Sequence, residues 1–214
     1  MRVRWIGLTL ALVLLGLAAG YALGRTAVDD PDQLETAAPM AAVNPSWPAE
    51  PARVVPDSTF PALEPGIRTH LETVGVPPFA LTLPIPNGWV RVSRAPGEWR
   101  WFPTNDPELH ANTYFLRVGL VGNRHQPVPD ALAERLSNLR DATAVADLKV
   151  EGTTPGGFTG TYVVDEYRRV AMERFLPGEL EPTSAFAWIA LIGREADRVG
   201  LSDLFRRITE GAQQ

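Results

Sequence analysis

The chain has 214 residues, a formal net charge of −5 and 45% hydrophobic residues, which allows one ordinary domain plus appendages. It has no cysteine, which excludes disulfides, thiolate zinc sites, a cysteine nucleophile and the acylated cysteine of a bacterial lipoprotein. Residues 1–25 carry three arginines and no acid, residues 26–65 carry seven acids against Arg53, and the near-neutral remainder has no basic run, which argues against a nucleic-acid partner.

From Trp5 to Leu23 the sequence runs without a charge. A helix of that length spans roughly 28 Å, close to the hydrocarbon thickness of a bilayer. Arg2 and Arg4 precede the run, while Asp29, Asp30 and Asp32 follow Arg25. The positive-inside bias therefore predicts a cytoplasmic tail at 1–4, a transmembrane helix or signal anchor at 5–24, and an extracytoplasmic remainder. The small residues around Ala18 and Gly20 leave cleavage as a signal peptide open, although the apolar run is longer than a typical signal core. Gly16, Gly20 and Gly24 recur every four residues on one helical face, a spacing that lets two membrane helices approach closely. Glycine is also common in such segments without any packing role.

Residues 25–61 read as an acidic, Pro/Ala-rich spacer with prolines at 31, 39, 45, 48, 51, 56 and 61. Such a stretch lacks the apolar residues to build a core and tends toward extended chain. The folded domain is expected over 62–212. A helix is predicted at about 65–73, stopped by Gly75 and Pro77-Pro78. Leu81, Leu83 and Ile85 alternate as a strand, with Pro84 and Pro86 placing it at a sheet edge. Asn87-Gly88 signals a turn, and short strands follow at 89–93, 98–102 and 113–121. Val128, Leu132, Leu136 and Leu139 mark one stripe of a helix over about 130–140. Further strands fall at 147–151, 158–164, 170–176 and 185–192. The last is apolar on both faces and so belongs at the centre of a covered sheet. Leu201, Leu204, Phe205 and Ile208 mark a closing helix. Together these predict an α+β domain, a mainly antiparallel sheet of about seven strands with helices on both faces.

The segment Leu83-Pro84-Ile85-Pro86-Asn87-Gly88-Trp89, a strand ending in P-x-G-W, resembles the opening strand of LpqN-like proteins of actinobacteria. The likeness covers about residues 62–212 and extends to the order of strands and helices. It implies a PsbP-like α/β/α sandwich and a non-enzymatic cell-envelope module, with no catalytic residues to carry over. This chain departs from the pattern by having a spanning segment in place of a lipid anchor. One lysine beside nineteen arginines, with abundant Ala, Gly and Pro, also fits a GC-rich bacterial genome.

Motifs for chemistry are weak. His70, His110 and His125 lack ligand spacing and read as solvated surface residues. No serine sits in a nucleophile elbow, and Gly156-Gly157-Phe158-Thr159-Gly160 lacks the lysine of a phosphate loop. Asp165-Glu166 and Arg168-Arg169 read as surface ion pairs around a turn, and Glu173 as the exposed side of a strand. No cofactor or metal is expected. The tryptophans carry more: Trp99 and Trp101 share one face of a short strand, with Trp89 and Phe102 nearby. These four belong either to the core or to an apolar groove for a partner's side chains or an acyl chain. Three functions compete on this sequence. The first is an anchored accessory or scaffold module binding envelope proteins, within a larger membrane assembly. The second is a lipid or amphiphile carrier, and the third an enzyme with a non-obvious site.

Overall fold

The computed structural model describes residues 51–110, 112–121 and 125–214, the side chains of Ser93 and Arg94 apart. The expected membrane segment, its Gly16, Gly20 and Gly24 face and the spacer up to residue 50 lie outside the described residues. Among the described residues no helix is long and apolar enough to cross a membrane. Residues Glu50–Gln214 form a compact unit of their own.

That unit is built on a seven-stranded, wholly antiparallel sheet. Its strands are β3 (Val90–Ala95), β4 (Glu98–Phe102), β5 (Phe115–Leu120), β6 (Val145–Thr154), β7 (Gly157–Val164), β8 (Tyr167–Pro177) and β9 (Ala185–Gly193). Their spatial order is β3-β4-β5-β9-β8-β7-β6. The chain thus lays one meander from an edge inward, crosses to the far edge, and meanders back until β9 pairs with β5. The strand that is apolar on both faces takes the central position, as its sequence requires. A separate hairpin of β1 (Thr69–Val76) and β2 (Phe79–Pro86) packs over one face.

The helices are α1 (Pro107–His110), a single turn, α2 (Val128–Asp141), which makes the crossing, and α3 (Arg198–Gly211). Pro129 stands in the first turn of α2, where a missing amide costs nothing, and Asp130 and Arg140 match the dipole at its two ends. In β8, Val170, Met172 and Leu176 join the cluster that holds Leu201, Leu204 and Ile208 of α3. Phe175 joins instead the cluster of Ala131, Leu132 and Leu139 of α2. Because a strand sends alternate side chains to alternate faces, α2 and α3 lie against opposite faces of the sheet.

Four expectations are corrected. The segment predicted as a helix at 65–73 is instead the start of β1. Thr69, Thr73 and Val74 are β-branched and favour extended backbone, and Leu81, Leu83 and Ile85 of β2 stand ready to pair with them. Second, Glu173 is 1% exposed and not on an open strand face, because Arg135 of α2 bonds both its carboxylate oxygens at 2.7 and 2.8 Å. Third, the domain does not begin at 62: residues 55–61, read as the end of the spacer, are strapped to it together with 62 and 63. The amide of Val55 donates to the carbonyl of Glu166, and the Ser58 hydroxyl donates to the carbonyl of Asn112 at 2.6 Å. Arg169, expected at the surface, is 2% exposed and donates to Asp57 and to the side chain of Asn112.

Candidate functional site

The strap rests on one buried ion pair. Asp197, wholly buried, accepts hydrogen bonds from the amide and the guanidinium of Arg194 and from the amide of Leu63. The other face of that guanidinium donates to the carbonyls of Ser58, Phe60 and Pro61. Each lone pair and proton finds a partner, which is the condition under which a buried pair is tolerable. Tyr114 packs alongside, and burial, reinforced by Asp197, pushes its hydroxyl above the ordinary value.

The four aromatics singled out in the sequence are not assembled into one groove. Trp101 is fully buried in the main core, and its indole N–H donates to Glu72 of β1. Trp99, on the same face of β4, packs partly buried against that core. Phe102 points to the opposite face, stacked flat on His110 at 3.8 Å and tilted against Phe115. Trp89 borders a cleft of about 410 Å3 beside Leu63, Ile67 and Tyr114. Of the histidines, His110 is held by that stack, His70 lies on β1 beside Asn87, and His125 is exposed and bonded to Glu181.

On the α2 face, Trp188 of β9 lies between two guanidiniums, Arg117 at 4.6 Å and Arg135 at 5.7 Å. Its indole covers Gly119 so closely that a Cβ there would overlap it. Arg117 forks onto Glu98 while Arg135 forks onto Glu173. The Arg117 guanidinium, aided by Arg100 and opposed by burial, holds the Glu98 carboxyl below its usual value. Burial, followed by the nearby Glu173, pushes the Tyr162 hydroxyl up to about 12. Glu98 therefore stays ionised and Tyr162 stays protonated near neutrality, and the cations are already engaged by carboxylates. The arrangement acts as a brace between α2 and the sheet, beside a shallow cleft of about 310 Å3.

A mainly apolar cleft lies elsewhere, at the proline-rich end of the sheet. There the β1–β2 turn, the β8–β9 loop and the segment before α2 surround a cleft of about 440 Å3 lined by Pro78, Phe79, Leu180 and Phe186. Leu180 is 94% exposed, Val76 73% and Phe79 41%. The loop that displays Leu180 is pinned on both sides. Gly178 donates to the Ser184 carbonyl, and Ser184 donates to that of Glu181. The side chain of Gln214 bridges the amide of Glu179 and the carbonyl of Pro177. His125 bonds Glu181 at 2.7 Å and holds its carboxyl below the ordinary range. Glu179 and Glu181 flank Leu180, so the apolar tip has an acidic rim. Sequence reasoning missed this site because its parts are about a hundred residues apart; the signal available was Leu180 isolated between two acids and two prolines.

Among the described residues, no cluster of histidines and carboxylates is placed to hold a metal ion. Comparison with models of known protein families and with curated proteins finds no match to the chain.

Proposed function

We propose that the chain is a membrane-anchored, non-enzymatic binding module on the outer side of a bacterial cell membrane, serving as an accessory or scaffold in a larger assembly. Its proline-rich end docks an apolar segment of a partner protein that carries basic residues beside its anchor side chain. The observation that carries the docking reading is Leu180, fully displayed on a hydrogen-bonded loop next to the open apolar cleft. Displaying a large apolar side chain is unfavourable in an isolated protein and marks an interaction surface when neighbours join it into a patch. Holding it rigid lowers the entropy cost of binding. The acids on either side select a cationic partner and disfavour an anionic bilayer.

Location rests on the sequence: the uncharged run at 5–23 with arginines before it and acids after it. The likeness to LpqN-like proteins supports the same reading, and helices on opposite sheet faces are consistent with the α/β/α sandwich of that family. A reporter fused to the C-terminus, functional only outside the cytoplasm, is expected to be active; an inactive fusion, beside an active one to a reporter functional only inside, overturns the location. Crosslinking in intact cells is expected to recover a partner protein with wild type and to lose it with Leu180→Glu. Recovery of a labelled lipid instead assigns the cleft to an amphiphile. Equal recovery of the same protein by both forms removes the docking reading.

A further inference from the structure

The edges of the two sheets are treated differently. The outer strands of the large sheet are broken: β3 carries an irregularity between Ser93 and Ala95, and β6 carries two, with Asp147 at a φ of 51° and Lys149 nearby. Bulges and charges of this kind prevent a second strand from adding. The edge offered by β1 is unbroken from Thr69 to Val74: its one positive φ, 78° at Gly75, lies beside the turn, and its one acid, Glu72, is engaged by Arg91 and the Trp101 indole. Its eight residues pair with β2 without a register shift and contain no proline or lysine.

The direction of its free groups follows from the far side of the hairpin. Thr82 of β2 donates to, and accepts from, the backbone of Gln213, so its amide and carbonyl point away from β1. Thr73, directly opposite Thr82, must then point its own amide and carbonyl away from β2. The same holds at Leu71 opposite Pro84 and at Thr69 opposite Pro86. Pro84 fits, since it has no amide to offer. Thr69, Leu71 and Thr73 thus present a ready row of donors and acceptors, and Leu71 is 63% exposed.

We infer that this edge pairs with the β1 edge of a second copy of the chain, antiparallel and centred on Leu71, joining two hairpins into a four-stranded sheet. The sequence of β1 is self-complementary in that register. Leu71 meets Leu71 of the second copy, Thr69 meets Thr73, and His70 lies across from Glu72 twice, once on each side of the two-fold. Aligned threonines, and an imidazole facing a carboxylate, make favourable cross-strand neighbours, and the central leucines cover each other. Shifting the centre to Glu72 would set two carboxylates face to face. The inference is independent of the cleft at Leu180 and of the location of the domain.

The absence of native cysteine makes the test direct. In the full-length protein, Leu71→Cys should crosslink to itself with a short bifunctional thiol reagent, because the paired Cα atoms would be about 5.5 Å apart. A mixture of the Thr69→Cys and Thr73→Cys proteins should crosslink to each other. Ala133→Cys, exposed on α2, should not. Adding Leu71→Lys to the Thr69/Thr73 pair should lower the crosslinked fraction at least ten-fold, and the Leu71→Lys protein should sediment as a monomer where wild type is a dimer. Circular dichroism of that variant should match wild type. Crosslinking at 71 no stronger than at 133, or a wild-type monomer at all concentrations tested, would overturn the pairing.

Discussion

Two stretches of this molecule have nearly the same composition and opposite fates. The strap at 55–63 and the end built from 76–79 and 178–184 are both rich in proline and poor in regular structure. The strap is bound down because Arg194 and Arg169, both almost wholly buried, aim their donors at its carbonyls and at Asp57. Around Leu180 there is no buried cation among the described residues. The local hydrogen bonds there close the loop on itself and leave its apolar tip in solvent. What proline-rich chain becomes is set by the donors that reach its carbonyls, and here those donors lie more than 100 residues away in sequence.

The largest expected effect comes from cutting the strap's central pair. Asp197→Ala leaves the Arg194 charge buried without its carboxylate and should cost about 3–5 kcal/mol in urea unfolding. Protease should then cut within 55–63 of the native protein. A loss under 1 kcal/mol with an uncut strap would break the comparison. Gly200→Ala tests the same attachment sterically. A Cβ at Gly200 would overlap the Leu63 carbonyl, so the strap or α3 must shift, at about 1–3 kcal/mol.

A smaller effect is expected at the Arg117–Glu98 fork. The folded carboxyl titrates below its usual 4.5, so its contribution is fully present above that pH and is lost as the pH falls through the lowered value. The pair is partly open to water, so the loss should be on the order of 1 kcal/mol. Acid titration of stability should show it in wild type and lack it in Glu98→Gln. The smallest effect on folding belongs to Leu180→Ser, expected within about 0.5 kcal/mol of wild type since nothing packs around its tip.

Much of the sheet was legible because it follows periodicity. The two-sided apolar run of 185–192 announced a central strand, Asn87-Gly88 a turn, and Leu201, Leu204 and Ile208 a packed helix. The hairpin strand β1 was not legible, since Glu72 owes its place to Arg91 and the Trp101 indole rather than to any pattern of its own. Burial of Glu173 was equally hidden, for it depends on Arg135, 38 residues earlier. Of the two alternatives for the aromatics, the core holds Trp101, while a shared groove is ruled out because Trp101 and Phe102 are neighbours on a strand and face opposite sides. The apolar end was invisible for the converse reason: its residues form no pattern until three loops are brought together.

A photo-reactive residue placed in turn at Phe60, which packs on the core, and at Leu180 of the full-length, membrane-bound protein compares the two stretches most directly. The strap position should give adducts within its own chain, and position 180 should give an adduct with another protein. Adducts confined to the chain itself at both positions, or a foreign protein captured equally by both, would contradict the division of roles set out above.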